Sequence, residues 1–390
     1  MFLNSIKIEK YKLLEDFEVN RLGRVNLIVG KNNSGKSTVL ECLRILASNG
    51  VPNVINEIVD SHDDILLLQN RTDEESIYIY EGLFTDRTFP RDESSIYIGN
   101  NEKDYYVKIK RLFYQDTEVE TKDYKGNIVL TRNRKFIDIS DVTDESNYDQ
   151  TISIESNQNP ERPFFLSSRS FFLSSSDRIL ARRRSIYEGD MITPGPISYI
   201  PTQFLSMDSL VSLWDKAVLT PYFENVKKFL KIISEDFEDV AFIKVPRSRK
   251  PQEAERTGIM KLKNKNKPIP LNGMGDGILR ILQLVLGIFP ATNGFLLIDE
   301  FENGLHYSVQ EQVWRLIFQL SKELNIQVFA TTHSWDCIEA FSRAANDSEE
   351  SALLFRIGKS VKKENYGKII ATLFDKNSLN NLKHSDVELR

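Results

Sequence analysis

A strand, a tight loop and a helix follow one another near the start of the chain. Five apolar residues, Val25–Val29, lead into the pattern Gly-x-x-x-x-Gly-Lys-Ser, and apolar residues at helical spacing come after it. Gly30 and Gly35 permit backbone conformations in which successive N–H groups point at phosphate oxygens, and the new helix adds the positive end of its dipole. The predicted phosphate-binding residues are Gly30, Asn32, Asn33, Ser34, Gly35, Lys36, Ser37 and Thr38.

Two residues of this loop have predicted roles beyond the backbone. The Lys36 ammonium would contact the β- and γ-phosphates as a point charge, and the Ser37 hydroxyl would bind Mg²⁺. A glycine-rich turn that matches by coincidence would not need to lie between a buried strand and a helix. The motif therefore predicts a nucleoside triphosphate and Mg²⁺ as ligands.

The composition limits the classes of protein to which this chain could belong. The chain has 390 residues, 41% of them hydrophobic, a formal net charge of −5 and two cysteines. The charge does not indicate general nucleic-acid binding, and the cysteines suggest buried thiols and no disulfide framework. The sequence has no apolar run long enough to span a bilayer, and its first ten residues alternate as in a strand. We therefore expect a cytoplasmic protein that makes no contact with a membrane.

The chain divides into regions of different character. Its last part alternates helix and strand, which predicts a parallel sheet that the Val25–Val29 strand would join. Earlier segments rich in aromatic and β-branched residues predict antiparallel strands. The predicted fold is α/β, with a phosphate-loop core over residues 1–75 and 268–390, a β-rich insertion over 76–200, and a helical lobe over 201–267.

Acidic residues at the end of a second apolar strand supply the rest of the predicted site. Asp299 and Glu300 follow the strand Phe295–Ile298, where adjacent carboxylates are costly unless they serve a metal or a reaction. We assign Asp299 to Mg²⁺ and Glu300 to water activation. His333 ends another buried strand, which should lie beside that of Asp299, and it could contact the γ-phosphate or the attacking water.

These motifs together resemble the ATP-binding-cassette (ABC) ATPases, and most closely their SMC-like and OLD-like branch, which includes DNA-repair and antiviral-defence ATPases. The resemblance covers residues 1–50 and 268–390. It implies a P-loop ABC-type core that binds and hydrolyses ATP. It also implies that Gln203 senses the metal and that Asn303, Gly304, Leu305 and His306 form a loop at a dimer interface.

The resemblance further implies that two subunits sandwich ATP, so the active form would be a homodimer or a higher homo-oligomer. A signature loop would reach the ATP of the opposite subunit. Its predicted residues are Asn272, Gly273, Met274, Gly275, Asp276 and Gly277. The family's usual serine is absent, and Asn272 or Met274 takes its place, depending on the alignment.

The sequence also leaves alternatives for the partner. After His333 no carboxylate cluster like that of a Toprim nuclease follows, so cutting would need a separate effector, either a nuclease or a toxin. Arginines interleaved with phenylalanines between Arg162 and Arg184 could instead contact nucleic acid, as in a DNA-repair or DNA-maintenance ATPase, or they could pack against a partner or be solvated. A transporter ATPase is a third alternative.

Overall fold

The computed structural model describes residues 2–62, 80–122, 128–164, 195–221, 223–224, 227, 230–231, 236–247, 250–263 and 265–375. The α-helices of these residues are α1 (Lys36–Ala47), α2 (Pro52–Ser61), α3 (Met207–Ala217), α4 (Asp276–Gly287), α5 (Tyr307–Glu323) and α6 (Trp335–Asp347). The strands are β1 (Ile6–Tyr11), β2 (Leu14–Val19), β3 (Val25–Val29), β4 (Ile96–Gly99), β5 (Tyr106–Lys122), β6 (Ile128–Ile137), β7 (Asp149–Ser156), β8 (Asn159–Phe164), β9 (Ile197–Ile200), β10 (Phe237–Arg247), β11 (Lys250–Leu262), β12 (Ile269–Pro270), β13 (Phe295–Ile298), β14 (Gln327–Thr332), β15 (Ala352–Lys359) and β16 (Ile369–Asp375).

The chain forms two compact units. The core unit comprises Met1–Ser5, Val19–Ala47 and Gly195–Arg390, and the β unit comprises Ile6–Glu18 and Ser48–Pro194. This division differs from the predicted boundaries at both ends of the insertion. The first two strands belong to the β unit, because β1 pairs with β4. Strand β9, which we placed at the end of the insertion, belongs to the core unit, because it pairs with β13.

A six-stranded sheet organises the core unit, in the order β16-β15-β3-β14-β13-β9. Strand β3 lies between β14 and β15 and is parallel to both, with Val29 opposite Thr332 on one side and Arg356 on the other. The α/β fold predicted from the sequence is confirmed. Because the carboxyl ends of parallel strands meet at one edge, the sheet brings the loop after β3 beside the residues that follow β13 and β14.

The sheet strands β3, β13 and β14 are buried along their whole length, as continuous apolar runs in a parallel sheet require. Helices α5 and α6 pack against each other, and their contact centres on Trp314, which stacks on Phe301 at 4.0 Å and meets the edge of Phe341 at 5.0 Å. Among the described residues, no helix has the length and apolar character that a membrane crossing would require.

The β unit is built on an antiparallel sheet in the order β2-β1-β4-β5-β7-β8, with β6 paired to β5. The alternation at Tyr105–Tyr114 and at Asn127–Leu130 predicts strands that the structure places in β5 and β6. The predicted strand at Ser76–Tyr80 lies, except for Tyr80, outside the described residues. So does the arginine-rich segment, apart from residues 162–164.

Residues 201–267 form strands in addition to the predicted helices: besides α3, residues 223–224, 227 and 230–231 are helical. Helix α3 ends at Ala217, and β10 and β11 form an antiparallel hairpin, to which β12 adds a third strand. The apolar residues of this hairpin alternate: Val240 and Met260 are buried opposite each other, whereas Lys261 is exposed. That alternation is the period-two signal of a half-buried strand. Lys261 therefore lies on a solvated strand face.

Candidate nucleotide-hydrolysis site

The phosphate loop is shaped by its two glycines. A Cβ atom on Gly30 would lie 2.5 Å from the carbonyl oxygen of Ile357, and Gly35 has a φ of +102°, which side chains disfavour. Lys36 is the first residue of α1, and its Nζ donates to the carbonyl oxygens of Gly30 at 2.8 Å and Lys31 at 3.0 Å. The loop thus folds around its own lysine and holds the ammonium at the helix start.

Burial lowers the pKa of Lys36, while Glu300, Glu302 and Asp299 oppose that shift through their charges. The residue as a whole is 8% exposed. A buried cation stabilised mainly by backbone carbonyls gains from an incoming anion. Lys36 is therefore suited to bind a phosphate.

Three hydroxyl groups from three segments converge on the carboxylate of Asp299. Thr331 Oγ1 donates to Oδ1 at 2.6 Å, Thr202 Oγ1 donates to Oδ2 at 3.3 Å, and Ser37 Oγ lies 3.3 Å from Oδ1. Asp299 itself is 9% exposed. The sheet thus brings Ser37 and Asp299 together although 262 residues separate them in sequence.

Mg²⁺ fits this pair. The ion prefers oxygen ligands and usually takes one or two from the protein, with the rest supplied by water and substrate phosphates. The Ser37 hydroxyl oxygen and the nearer Asp299 carboxylate oxygen lie 3.3 Å apart, which is close enough for both to bind one ion. Within the described residues, no group of three or more His, Cys, Asp or Glu side chains forms an all-protein metal site. The geometry favours a metal shared with a phosphate ligand.

Glu300 is held in an unfavourable backbone conformation. Its φ is +44°, in the left-handed region that costs a residue with a side chain about 1–2 kcal/mol. Its N–H donates to Thr331 Oγ1 at 2.8 Å, and its carbonyl accepts from Arg280 Nη2 at 2.8 Å. The next residue, Phe301, is fully buried against Trp314. These contacts fix the turn and leave the Glu300 carboxylate 37% exposed at the rim.

Arg280 stabilises the same turn through its guanidinium group. Its guanidinium donates to the carbonyl oxygens of Pro201 at 2.6 Å, Asp299 at 2.8 Å and Glu300 at 2.8 Å, and the residue has no exposed surface. Burial lowers its pKa to about 10, so it stays charged at neutral pH. One side chain of α4 therefore fixes the ends of two neighbouring strands, β9 and β13.

His333 lies between two carboxylates. Its Nδ1 is 3.2 Å from Glu302 Oε1 and 3.7 Å from Glu300 Oε1, and its backbone N–H donates to Glu302 Oε1 at 2.9 Å. The His333 side chain is 48% exposed, whereas that of Glu302 is 11% exposed. Glu302 thus anchors the histidine, and the two half-exposed groups, His333 and Glu300, face the rim.

The predicted signature and dimer loops lie against each other. Residues 271–273 form a single 3₁₀ turn, and Gly275, with a φ of +87°, is the N-cap residue of α4, which has no side-chain cap among the described residues. A Cβ atom on Gly277 would lie 3.2 Å from the carbonyl of Gly304. Asn272, Gly273, Gly275 and Asp276 are exposed. The free N–H groups of this helix start remain able to bind an anion.

In the dimer loop, Asn303 donates through Nδ2 to the carbonyl of Thr202 at 2.7 Å. Gly304 has a φ of +72°, Leu305 is buried, and His306 caps α5 by accepting from the N–H of Ser308. The loop therefore links the end of β9 to the turn after Asp299. Whether it meets a second subunit stays a prediction.

Gln203 lies close to the site in sequence, but its side chain is exposed, and its recorded hydrogen bond is through the backbone, whose carbonyl accepts from Gln283 at 3.3 Å. Its metal role stays a prediction. The residue that contacts Asp299 from this strand is Thr202. Thr202, Thr331 and Arg280 had no predicted role, because a hydroxyl or an arginine belongs to no sequence motif of its own until the fold brings it to a partner.

The fold and this site define a P-loop nucleoside triphosphatase. Residues 25–336 match the family described as "AAA domain, putative AbiEii toxin, Type IV TA system". The chain belongs to this family of AAA-domain proteins, and it is an ATPase. The match spans both halves of the site, from β3 to α6.

Two curated proteins are similar to this chain. A Helicobacter pylori protein named "ATP/GTP phosphatase" is 22% identical over 362 residues, which are 89% of each chain. An uncharacterized protein of Methanocaldococcus jannaschii is 34% identical over 83 residues, which are 21% of this chain and 73% of that one.

Among solved structures, the SMC head domain from Thermotoga maritima aligns with a TM-score of 0.40 and 13% identity over 96% of this chain and 99% of that one. A Pyrococcus furiosus Smc head domain, bound to the C-terminal domain of ScpA, aligns with a TM-score of 0.46 and 12% identity over 98% of both chains. Because these scores are low, the family assignment rests on the sequence match.

Proposed function

We propose that this ATPase is a molecular switch in which two copies of the chain enclose two ATP molecules, and that hydrolysis controls a separate effector, a nuclease or a toxin, in antiviral defence in the cytoplasm. The observation that carries the hydrolytic part is the convergence of Ser37, Asp299 and Glu300 at one edge of the sheet. The words "putative AbiEii toxin, Type IV TA system" in the description of the matching family support the defence context.

Each side chain of the site has a proposed role. Lys36 and the backbone N–H groups of residues 32–38 bind the β- and γ-phosphates, with N–H donors and the helix dipole adding to the ammonium charge. Ser37 and Asp299 hold Mg²⁺, which neutralises phosphate charge when it is bound. The Glu300 carboxylate orients a water molecule and accepts its proton, and His333 donates to the γ-phosphate or to the attacking water.

The proposed dimer rests on the exposed glycine loop 272–277. Its uncapped helix start could bind a γ-phosphate, and it packs beside the 303–306 loop. A phosphate enclosed between this loop and the phosphate loop of another copy would lose its water, which strengthens every electrostatic contact to it. Because Asn272 or Met274 replaces the family's serine, other surfaces are expected to contribute to the dimer.

Two substitutions test the catalytic assignment. Lys36→Ala should abolish measurable ATP binding, because it removes the phosphate contact. Glu300→Gln should bind ATP like the parent and lower kcat by at least about 100-fold, because only the base is lost. Glu323→Gln, which neutralises a carboxylate at the far end of α5, is the matched control and should hydrolyse ATP normally. A Glu300→Gln protein with parental turnover would refute the assignment.

The dimer is tested by sedimentation of the Glu300→Gln protein with and without ATP. We expect the species to be dimeric in ATP, because bound nucleotide cannot be hydrolysed. A monomer in both conditions, together with a parental ATPase rate per molecule that does not depend on protein concentration, would exclude the two-subunit site. Identifying the proteins and nucleic acids that purify with the chain in ATP would separate the effector proposal from the alternative of a DNA-maintenance ATPase.

A further inference from the structure

The hairpin of β15 and β16 has an ordered turn at the same edge of the sheet as the phosphate loop. Two backbone bonds close it: the N–H of Ser360 donates to Lys368 O at 2.8 Å, and the N–H of Gly367 donates to Ser360 O at 2.9 Å. Further bonds inside the turn join Asn365 to Lys362 and Lys368 to Asn365. Such a turn presents its side chains in a fixed arrangement.

This turn follows the strand that neighbours the phosphate-loop strand. The register of β15 against β3 ends at Arg356 opposite Val29, and the next residue, Ile357, approaches Gly30. Strand β15 continues for three more residues, which is about 10 Å at the rise of a strand. No heavy atom lies within 4 Å of a Cβ added at Gly358, so the space beside this residue is open. The turn at 360–368 therefore lies beyond the carboxyl end of β15, at the edge of the sheet where the phosphate loop also lies.

The order of the sheet determines which end of a nucleotide this turn could meet. Asp299, Glu300 and His333 follow β13 and β14, on one side of β3, whereas β15 lies on the other side. If the terminal phosphate and its metal lie toward the carboxylates, the ribose and base must extend away from them. Strand β15 flanks β3 on the side opposite the carboxylates, so the turn after β15 lies on the side toward which the ribose and base would extend.

The side chains of the turn suit that end of a nucleotide. Tyr366 is 80% exposed and Val361 is 86% exposed, although the backbone around them is ordered. Residues 359–368 include four lysines and one glutamate, in a chain whose net charge is −5. An exposed aromatic ring among lysines can stack on a base, while the positive charge attracts the anionic ligand to which the base is attached.

We propose that the β15–β16 turn is the nucleobase-binding wall of the site, with Tyr366 stacking on the base of the nucleotide whose phosphates the loop at 30–38 holds. The proposal rests on the proposed nucleotide site. Stacking engages the face of the ring, which every base has, so the contact contributes affinity without selecting one purine over the other.

The test compares the binding of ATP with that of inorganic tripolyphosphate, which has no base or ribose, to the full chain with Mg²⁺ by calorimetry. Tyr366→Ala should weaken ATP binding by about 5- to 100-fold, the loss expected for one base–aromatic stack, and should leave tripolyphosphate binding unchanged. Tyr366→Phe keeps the ring and should bind ATP like the parent. Leu219→Ala, at a residue 90% exposed elsewhere in the core unit, is the matched control.

Other outcomes of these experiments would overturn either the stacking proposal or the proposed function. ATP affinity unchanged in Tyr366→Ala, or tripolyphosphate affinity lowered as much as ATP affinity, would overturn the stacking proposal. A variant that binds ATP normally but loses affinity for a single-stranded oligonucleotide would assign the turn to nucleic acid and overturn it too. A parental protein that binds neither ATP nor tripolyphosphate would refute the proposed function itself. Because Tyr366 is exposed, the variants are expected to fold, and tryptophan fluorescence will check this.

Discussion

The hydroxyl of Thr331 joins the two acidic residues of the site, and its removal is the sharpest structural test of that arrangement. Thr331 has no exposed surface, its Oγ1 donates to Asp299 Oδ1 at 2.6 Å, and it accepts from the N–H of Glu300 at 2.8 Å. Thr331→Val keeps the branched shape and removes both bonds. It leaves a buried backbone N–H without an acceptor and a buried carboxylate with weaker donors.

The magnitude follows from these two bonds. A hydrogen bond to a charged group contributes about 1.5–3 kcal/mol to stability and a neutral one about 0.5–1.5 kcal/mol, so Thr331→Val should lower the free energy of unfolding by about 2–4 kcal/mol. Without its bond to Thr331, the strained turn at Glu300 should also relax. A carboxylate displaced by about 1 Å can lower kcat by about 100-fold. ATP binding, which depends on the loop at 30–38, should change little.

All three tryptophans, Trp214, Trp314 and Trp335, lie in the core unit, so fluorescence during urea unfolding reports on that unit alone. Thr332→Val is the matched control. Thr332 is equally buried and adjacent, but its hydroxyl accepts from the N–H of Ser334 at 3.0 Å and does not contact Asp299. Thr332→Val should cost about 1 kcal/mol. Thr331→Ser, which keeps the hydroxyl, should retain most of the stability and the turnover.

The reasoning would be refuted if Thr331→Val unfolded at the same urea concentration as Thr332→Val and retained parental kcat. Destabilisation by the expected amount, about 2–4 kcal/mol, with a parental kcat would show that the hydroxyl stabilises the fold without positioning Glu300. A loss of ATP affinity as large as the loss of kcat would point instead to a distorted phosphate loop.

Two further predictions concern the cations of the site. Arg280→Met leaves one buried carbonyl, that of Asp299, and two partly buried ones without this donor and should lower the free energy of unfolding of the core unit by at least about 3 kcal/mol in the same fluorescence assay, whereas Arg280→Lys should recover part of that loss. Burial lowers the pKa of Lys36 from its ordinary value of 10.5, so in the nucleotide-free protein its charge is lost at a lower pH than in an ordinary lysine. ATP affinity should therefore begin to fall before the pH rises to 10.5. Lys36→Arg, which stays charged, should show no such fall in calorimetric titrations over the same pH values.

The sequence by itself determined the parts of the site that depend on local chemistry. Few structures other than a phosphate loop require glycines at this spacing between a strand and a helix. Gly30 to Thr38 therefore predicted a phosphate loop without any knowledge of the fold. Apolar runs ending in Asp299 and His333 predicted buried strands with polar ends, and β13 and β14 occur there. These signals are local, since they depend on the residues a few positions away.

The tertiary structure alone decided which residues support that chemistry. Arg280 could have been any polar residue of an amphipathic helix, and only the packing of α4 below the sheet brings its guanidinium to three carbonyls. Thr202 and Thr331 become partners of Asp299 because β9 and β14 flank β13. The pairing of β1 with β4, which moved the first strands into the β unit, likewise joins residues about 90 positions apart. Such contacts depend on strand order, and strand order is set by burial across the whole sheet, which no local pattern of residues records.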